Sequence, residues 1–225
     1  MKRAFMAAFA LCFAASAAEA SQVYFNDFEG GIGLGGNGEI VGVEGYEGVN
    51  GITGSFWHNE TEKYRGVEES TLSLTGIGAH DYLTIEFDIA FIDSWVGNIG
   101  REKYGPDFFN IVIDGVTKLV TTNFGGIGNE LSDMALGFYG FTEKYDDEAY
   151  RFSASVPHFG STAAFSFFAD GAGWQGKKDE SWAIDNLSIT AGSGDLLATP
   201  IPAALPLMLG GLGLLGLAGM RRRKG

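Results

Sequence analysis

Hydrophobic and polar residues alternate along much of the chain between residues 21 and 190. The clearest alternation is in YLTIEFDIAF, which runs from Tyr82 to Phe91. One face of this stretch is apolar and carries Leu83, Ile85, Phe87, Ile89 and Phe91. Because side chains in a strand point alternately to opposite faces, the pattern predicts a β-strand with one buried face.

The stretch FFNIVIDGVTKLV predicts a β-hairpin. Its first half places Phe109, Ile111 and Ile113 on one face, and residues 117–120 form the returning strand. Asp114-Gly115 between the halves suits a two-residue type I′ turn, which needs positive φ at both positions.

Similar short apolar stretches recur throughout this region, separated by Gly, Asn and Asp. We predict further strands over residues 23–28, 40–43, 52–57, 71–74, 134–141, 150–156, 163–169 and 182–190. About ten short strands with no convincing helix between them predict an all-β fold. The expected architecture is a two-sheet antiparallel sandwich of the jelly-roll type.

The last predicted strand contains an irregularity. In SWAIDNLSI, Trp182 and Ile184 share one parity, whereas Leu187 and Ile189 share the other. A shift of this kind is what a β-bulge produces, so we predict a bulge near Asp185 and Asn186.

The beginning of the chain has the pattern of a secretory signal peptide. Lys2 and Arg3 precede an apolar run over residues 4–18, and Ala18-Glu19-Ala20 forms a small-x-small cleavage site for signal peptidase. Ser21 is then the first residue of the mature chain. The single cysteine, Cys12, lies inside this leader, so the mature chain has no disulfide, thiolate nucleophile or cysteine-bound zinc.

The end of the chain has the pattern of a membrane segment. Residues 203–220 carry no charge and are followed by four basic residues, 221–224. At about 1.5 Å per residue a helix over this stretch is roughly 27 Å long, close to a hydrocarbon core of about 30 Å. The alternative is a buried terminal helix of a soluble domain, in which the basic cluster has little use.

The last twenty-seven residues resemble a bacterial sorting signal of the VPLPA-CTERM type, related to PEP-CTERM. The motif residues are Thr199, Pro200, Ile201, Pro202 and Ala203, with Thr199 and Ile201 where that pattern usually has Val and Leu. The resemblance implies a Gram-negative exported protein whose precursor is held in the inner membrane, processed by an exosortase-like enzyme, and then placed at the cell surface or outside the cell. The predicted organisation is signal peptide 1–20, sandwich domain 21–190, linker 191–198 and sorting signal 199–225.

The chain is strongly acidic, with 28 Asp and Glu against 15 Lys and Arg and a net charge of −13. The part between the two basic ends is more acidic still. Because a phosphate-binding surface needs a positive field, nucleic acid is excluded as a partner. Divalent cations and neutral ligands remain compatible with this charge.

The two ends of the predicted sandwich carry a second resemblance. YFNDFEGG near the start and DESWAIDNLSIT near the end resemble the first and last strands of jelly-roll carbohydrate-binding modules. In those modules the two strands are neighbours and hold a structural calcium ion. The resemblance implies a calcium site here, with Glu29 and Asp185 as ligands and Asp27, Asp179 and Glu180 as further candidates.

A physical reason accompanies the calcium resemblance. A bulge re-aims a side chain, and an Asp185 turned toward Asp27 or Glu29 would bring hard oxygen donors together. The alternative is that these are ordinary solvated acids in turns.

The strand IEFDIAF also invites comparison with laminarinase-type glycoside hydrolases, whose active strand carries three acids on one face. Glu86 and Asp88 occupy the first two places, but Ala90 occupies the third. A retaining glycosidase needs two carboxyl groups, so the substitution disfavours an enzyme, and Glu86 and Asp88 are interpreted as the polar face of a half-buried strand. His58, His80 and His158 show no metal-ligand spacing and are expected in loops or at strand ends.

Tryptophans beside turn-like stretches are candidate sugar platforms. Trp57, Trp95 and Trp174 are the candidates, since an exposed indole there could stack on a sugar ring, and packing in the core of an aromatic-rich sandwich is the competing interpretation. Trp182 is expected in the core. The resulting hypothesis is an exported, calcium-stabilised, lectin-like module that binds polysaccharide. A structural matrix protein without a specific ligand is the alternative, and a glycoside hydrolase comes third.

Overall fold

The structure is a computed structural model and describes residues 20–59, 68–96, 106–121, 135–141, 147–176 and 180–194. Within these ranges the chain forms twelve β-strands and one short 3-10 turn, Val49–Gly51. The strands are β1 Ser21–Asn26, β2 Gly35–Gly36, β3 Glu39–Gly42, β4 Ser55–Asn59, β5 Ser70–Thr75, β6 Tyr82–Asp93, β7 Asp107–Ile113, β8 Thr117–Thr121, β9 Ala135–Gly137, β10 Asp147–Pro157, β11 Thr162–Gly171 and β12 Glu180–Gly192.

The described strands form two sheets. The seven-stranded sheet has the order β3-β4-β12-β6-β10-β9, with β1 also paired to β12, and the five-stranded sheet has the order β2-β5-β11-β7-β8. Every pairing is antiparallel, and the chain passes repeatedly from one sheet to the other. The predicted all-β, two-sheet antiparallel sandwich is confirmed, and the alternation between sheets is the connectivity expected of a jelly roll.

The main core lies between the two sheets and follows the alternation seen in the sequence. In β6 the residues Leu83, Ile85, Phe87, Ile89 and Phe91 are all buried. They face the apolar side of the five-stranded sheet, where Phe109 and Phe167 each contact Phe87 edge to face. Burial of this continuous apolar layer is the main stabilising contribution to the sandwich.

A second, smaller core covers part of the outer face of the seven-stranded sheet. Ala90, Ala149 and Ala183 form a row across three strands there. Because alanine has a short side chain, the segment over residues 43–54 can pack directly on this row, with its Tyr46 and Ile52 buried together with Phe56 of β4. No segment among the described residues covers the rest of that outer face.

Two local predictions from the sequence are confirmed. The register of β12 against β6 shifts between Asp185 and Ser188, and Asn186 has a φ of 53°, so the bulge lies where the parity change placed it. Asp114 and Gly115 both have positive φ, as a type I′ turn requires. The hairpin loop is one residue longer than predicted, because Val116 also lies between the strands.

The predicted linker begins too early. Ala191 and Gly192 belong to β12, and Ala191 pairs with both Ser21 and Leu83 and is buried. The signal peptide, the rest of the linker and the sorting signal lie outside the described residues. Among the residues that are described, no helix is long and apolar enough to cross a membrane.

Trp57 in β4 illustrates how glycine is needed at a close approach. The indole is 5% exposed and its Nε1–H donates to Ser70 Oγ at 2.8 Å. Gly38, which has a φ of +132°, passes so close that a Cβ there would lie 2.6–2.7 Å from atoms of the ring. No side chain fits this position without moving the tryptophan.

We expect Gly38→Ala to lower the free energy of unfolding by more than about 1 kcal/mol, because the methyl group meets the indole and the positive φ disfavours alanine. Gly42→Ala is the matched control, since a Cβ at that position has no heavy atom within 4 Å. It should leave stability unchanged or raise it slightly. Chemical denaturation of both variants measures the difference, and equal stabilities would contradict the packing described here.

Candidate functional site

The open part of the outer face lies on β1, β12, β6 and β10, beside the loop that covers the alanine row. The strand pairings place side chains of these four strands side by side in rows. Phe25 is opposite Ser188, Ser188 is opposite Glu86, and Glu86 is opposite Ser153. At about 4.8 Å between strands, this row is about 14 Å long.

The row combines one aromatic ring with several hydrogen-bonding groups. Phe25 at one end is 51% exposed. Glu86 is exposed and accepts a hydrogen bond from Ser153 Oγ at 3.1 Å, and the next row contains a hydrogen bond of 2.8 Å between the hydroxyls of Thr84 and Ser155. The face therefore offers an apolar platform next to a field of hydroxyl and carboxylate groups.

An ion pair between Arg151 and Asp88 lies at one end of this face. Arg151 donates from Nε and Nη2 to the two oxygens of Asp88, at 2.8 and 3.1 Å. Asn186, which the bulge turns outward, donates to the same carboxylate at 2.9 Å. Because the Asp88 side chain is fully buried, these donors compensate a charge that would otherwise be costly.

The open face contains a shallow depression of about 260 Å³. Its lining residues are Phe25, Glu86, Phe87, Arg151, Asn186 and Ser188. Phe25 and the polar side chains of the depression come from four different strands, so only the folded sheet brings them together.

A second feature lies beside the bulge, where three carboxylates hold one turn. The consecutive backbone N–H groups of residues 53–55 donate to different acids. Thr53 donates to Asp185 Oδ2 at 3.1 Å, Gly54 to Glu47 Oε2 at 3.0 Å, and Ser55 to Glu29 Oε1 at 2.7 Å. The structure thus brings Glu29 and Asp185, the two main calcium candidates, to the same turn.

The electrostatics of Asp185 are unfavourable for its negative charge. The pKa of Asp185 is raised to about 7, mainly by burial and to a smaller extent by the nearby charges of Asp88 and Glu29, whereas hydrogen bonds from Thr53 and Asn186 act in the opposite direction. A carboxylate in such surroundings gains from a positive charge nearby.

The remaining calcium candidates have different outcomes. Asp27 accepts the backbone N–H of Glu29 at 3.2 Å, and its role as a ligand stays a prediction. Glu180 cannot share a site with Asp185, because five residues of regular strand separate them by about 17 Å. It accepts the Gln175 backbone N–H and lies opposite Asp93. Asp179 lies outside the described residues.

Side chains alone do not form a metal centre in the described part of the chain. No group of three or more His, Cys, Asp or Glu residues there is arranged to hold an ion. A cation held by Glu29 and Asp185 would need main-chain carbonyl oxygens as well, which calcium accepts readily.

The predicted tryptophan platforms are mostly wrong. Trp57 and Trp95 are each only 5% exposed, and Trp95 donates from Nε1 to the carbonyl of Ser181 at 2.6 Å. Trp174 is half-buried against Trp95, with ring centroids 5.0 Å apart, and its role in binding stays a prediction. Trp182 is fully buried, as predicted. Trp57 packs against Gly33 and Gly38, and Trp95 packs against Phe91 and Trp174, and a sequence does not reveal these contacts.

The exposed aromatic residue on the open face was missed. Phe25 belongs to YFNDF, which contains two other aromatic residues, Tyr24 and Phe28. Nothing in the local sequence marks Phe25 as the exposed one. Its parity in β1 was the available signal, because Phe25 points away from the face on which Val23 and Tyr24 pack against the core. A register shift between Gln22 and Tyr24 obscures that parity in the sequence.

Two of the three histidines lie where they were expected, His80 in the loop before β6 and His158 directly after β10. His58 is buried within β4 and contacts Ser181 Oγ at 3.0 Å, and burial lowers its pKa to about 4. His80 and His158, far apart in sequence, contact each other through ring nitrogens 2.7 Å apart. The spacing of the histidines in the sequence does not indicate this contact.

No protein-family model and no curated protein matches this chain. Among solved structures, the chain is similar to the CBM22-1 xylan-binding domain of Xyn10C from Paenibacillus barcinonensis, with 9% identity and a TM-score of 0.41 over 80% of this chain and 100% of that chain. It is similar to the C-terminal CBM6 of LamC, a marine laminarinase from Zobellia galactanivorans, with 13% identity and a TM-score of 0.34 over 77% and 99%. It is also similar to BtGH115A, a 4-O-methyl-α-glucuronidase with specificity for decorated arabinogalactans, with 14% identity and a TM-score of 0.39 over 83% of this chain and 19% of that chain. The chain thus spans about a fifth of the length of BtGH115A, and these similarities assign it neither a family nor a ligand.

Proposed function

We propose that the domain binds a polysaccharide on the open face of the seven-stranded sheet. The observation that carries the proposal is the row in which the exposed Phe25 ring lies beside Ser188 and Glu86. A sugar ring presents an apolar face to an aromatic ring and hydroxyl groups to polar side chains, which is the combination found here. The row extends across four strands and so suits a chain of sugars better than a single one.

The charge of the face favours a neutral polysaccharide. Glu86 is exposed in the middle of the row, and the guanidinium of Arg151 is already turned toward Asp88. The whole chain carries a net charge of −13. An anionic polysaccharide would therefore be repelled, whereas neutral hydroxyls can donate to the Glu86 carboxylate.

We propose binding without catalysis. Both oxygens of Asp88 accept hydrogen bonds from Arg151, and one also accepts from Asn186, so this carboxylate is occupied. Ala90 lies under the loop that covers the alanine row and offers no acid group. Glu86 is then the remaining acid of its strand on the open face, and hydrolysis with general acid–base catalysis uses two.

We also propose that calcium stabilises the turn at residues 53–55. Asp185 and Glu29 both bind this turn, and hard carboxylate oxygens are what calcium prefers. A cation there would offset the unfavourable charge of the buried Asp185. Its proposed role is structural, because the turn lies next to Asn186 and thus to one end of the open face.

The chain is proposed to act after export, at the cell surface or outside the cell. The folded domain supports this placement, since β1 begins at Ser21, the residue predicted to follow signal-peptide cleavage. Signal peptidase and an exosortase-like enzyme are the proposed processing partners, with the inner membrane holding the precursor through residues 203–220 before sorting.

Phe25→Ala tests the binding face. We expect it to weaken polysaccharide binding about tenfold or more, which corresponds to about 1.4 kcal/mol for one lost stacking contact. The full chain, purified in mild detergent, is applied to an array of neutral and acidic polysaccharides, and affinities are then measured on the strongest neutral ligand. The melting temperature should stay unchanged, because the ring is half exposed.

Phe159→Ala is the matched control, since this phenylalanine is 73% exposed but lies in the β10–β11 turn. It should bind like the unmodified chain. Loss of binding in the Phe159 variant alone would place the ligand elsewhere, and the absence of binding to every polysaccharide by a folded chain would favour a structural protein without a specific ligand.

Calcium is expected to raise the melting temperature of the unmodified chain. At a calcium concentration about a hundred times its dissociation constant, the gain is about 2.7 kcal/mol, or roughly 5–10 °C. Asp185→Asn should abolish this gain, whereas Glu39→Gln, which changes an exposed acid of β3, should keep it. Equal melting curves in calcium and in chelator would rule out the site.

The pH dependence of stability provides a separate test of Asp185. Because folding raises its pKa from 3.8 to about 7, its stabilising contribution is present below pH 3.8 and is lost as pH rises through 7. In chelator, the unmodified chain should therefore lose stability relative to Asp185→Asn between pH 4 and pH 8, by as much as about 4 kcal/mol. His58 has the opposite pH dependence but is common to both chains. Parallel pH profiles would contradict the charge environment described here.

A further inference from the structure

Two buried histidines meet at the end of the sandwich where the last described residues leave it. His80 comes from the loop before β6, and His158 follows β10. They are 6% and 8% exposed. His80 Nε2 and His158 Nδ1 are 2.7 Å apart, which is the distance of a hydrogen bond.

The outer nitrogens of both rings face acceptors. His80 Nδ1 lies 2.7 Å from the carbonyl oxygen of Gly78, which can only accept, so this nitrogen carries a proton. His158 Nε2 lies 3.1 Å from Asp114 Oδ2, and it carries a proton when that carboxylate is ionised. Two neutral rings would have both of their protons on these outer nitrogens.

The inner contact therefore needs a third proton. With both rings neutral, the facing nitrogens would present lone pairs to each other at 2.7 Å, which is repulsive. A proton between them turns the contact into a hydrogen bond and gives the pair one positive charge. Asp114 supplies the balancing negative charge at hydrogen-bond distance.

The charged groups around the pair come from two neighbouring segments. Asp114 in the β7–β8 turn also accepts the backbone N–H of Ala164 at 2.8 Å, so it links this turn to β11. Asp81 follows His80, and its carbonyl accepts the His158 N–H at 3.1 Å. Of these two acids, the one whose carboxylate contacts an imidazole of the pair is Asp114.

The same loop holds the end of β12. Asp81 donates its N–H to the Gly192 carbonyl at 2.9 Å, and its carboxylate accepts the Gly194 N–H at 2.7 Å. Asp81 thus connects the histidine pair to the last described residues before the predicted linker. A change in the protonation of the pair would therefore reach, through Asp81, the hydrogen bonds that hold Gly192 and Gly194.

We propose that His80 and His158 bind a single proton between them. This proton joins the loop before β6, the β10–β11 turn and the β7–β8 turn, next to the end of β12. Loss of the proton leaves two facing lone pairs, so the rings separate and the contacts to Asp114 and Asp81 weaken. The end of β12 is therefore held more firmly at lower pH and less firmly at higher pH. This proton-dependent contact is independent of the proposed polysaccharide face.

The test is nitrogen-15 NMR of the full chain with labelled histidine, followed from pH 5 to pH 9, the range around which histidine ordinarily changes charge. We expect one N–H signal coupled to both rings at the acid end, which disappears as pH rises. His80→Gln and His158→Gln should each abolish this signal. His58→Gln, which changes a histidine in β4, should retain it.

Amide hydrogen exchange of the unmodified chain provides a readout that needs no variant. As pH rises from 5 to 9, exchange at Ala164 and Gly194 should accelerate on the order of tenfold more than at Ile85, a reference in the middle of β6. A pair of neutral rings at pH 5, a shared signal that persists unchanged to pH 9, or equal acceleration at all three amides would overturn the proposal. Loss of the shared signal on chelation would also overturn it, because the pair would then hold a metal ion.

Discussion

The bulge in β12 is the constraint on which the rest of the structure depends. This strand pairs with β6 along one side and with both β4 and β1 along the other. Without the extra residue, Ile184 and Leu187 could not both face the core, because an odd separation places side chains on opposite faces. The bulge resolves this conflict, and its cost is an Asn186 held at a φ of 53°.

The same bulge sets the chemistry of the outer face. It leaves Asp185 buried against the turn at residues 53–55 and turns Asn186 onto Asp88. Beyond it, Ser188 falls into the open row between Phe25 and Glu86. A single irregularity therefore connects the core, the proposed calcium site and the proposed polysaccharide face. Removing the bulge, or the hydrogen bonds that compensate the charges of Asp88 and Asp185, would affect the core, the proposed calcium site and the proposed polysaccharide face.

Three small residues divide that face into a covered part and an open part. Ala90, Ala149 and Ala183 let the loop with Tyr46 approach the sheet, whereas the larger polar side chains further along the same strands remain in solvent. Ala90, which removes the third acid of a glycosidase-like strand, thus has a packing role. Its short side chain allows the loop with Tyr46 and Ile52 to pack on this part of the sheet.

The proposed functional features occupy different depths and different ends of the sandwich. The open row is formed by exposed side chains on regular strands, whose positions are fixed by the ladder of backbone hydrogen bonds. The histidine pair instead lies where the adjoining ends of β6 and β10 meet the β7–β8 turn of the other sheet, and the proposed proton would link the two sheets there. The proposed polysaccharide binding and the proposed proton-dependent contact therefore involve different parts of one fold.

The sequence by itself indicated most of the strands, the two-sheet class, the position of the bulge and the burial of Trp182, because each follows from local alternation of side chains. It did not indicate the two-residue β2, and it placed β1 and β4 two to three residues from their observed bounds. It also pointed to Glu29 and Asp185, which the tertiary structure brings to one turn. It misjudged Trp57 and Trp95, and it missed Phe25 and the pairing of His80 with His158. Those features depend on which loop covers which strand and on contacts between residues 78 positions apart. Only the tertiary structure decides them, because exposure and long-range proximity arise from packing and leave no periodic signal in the chain.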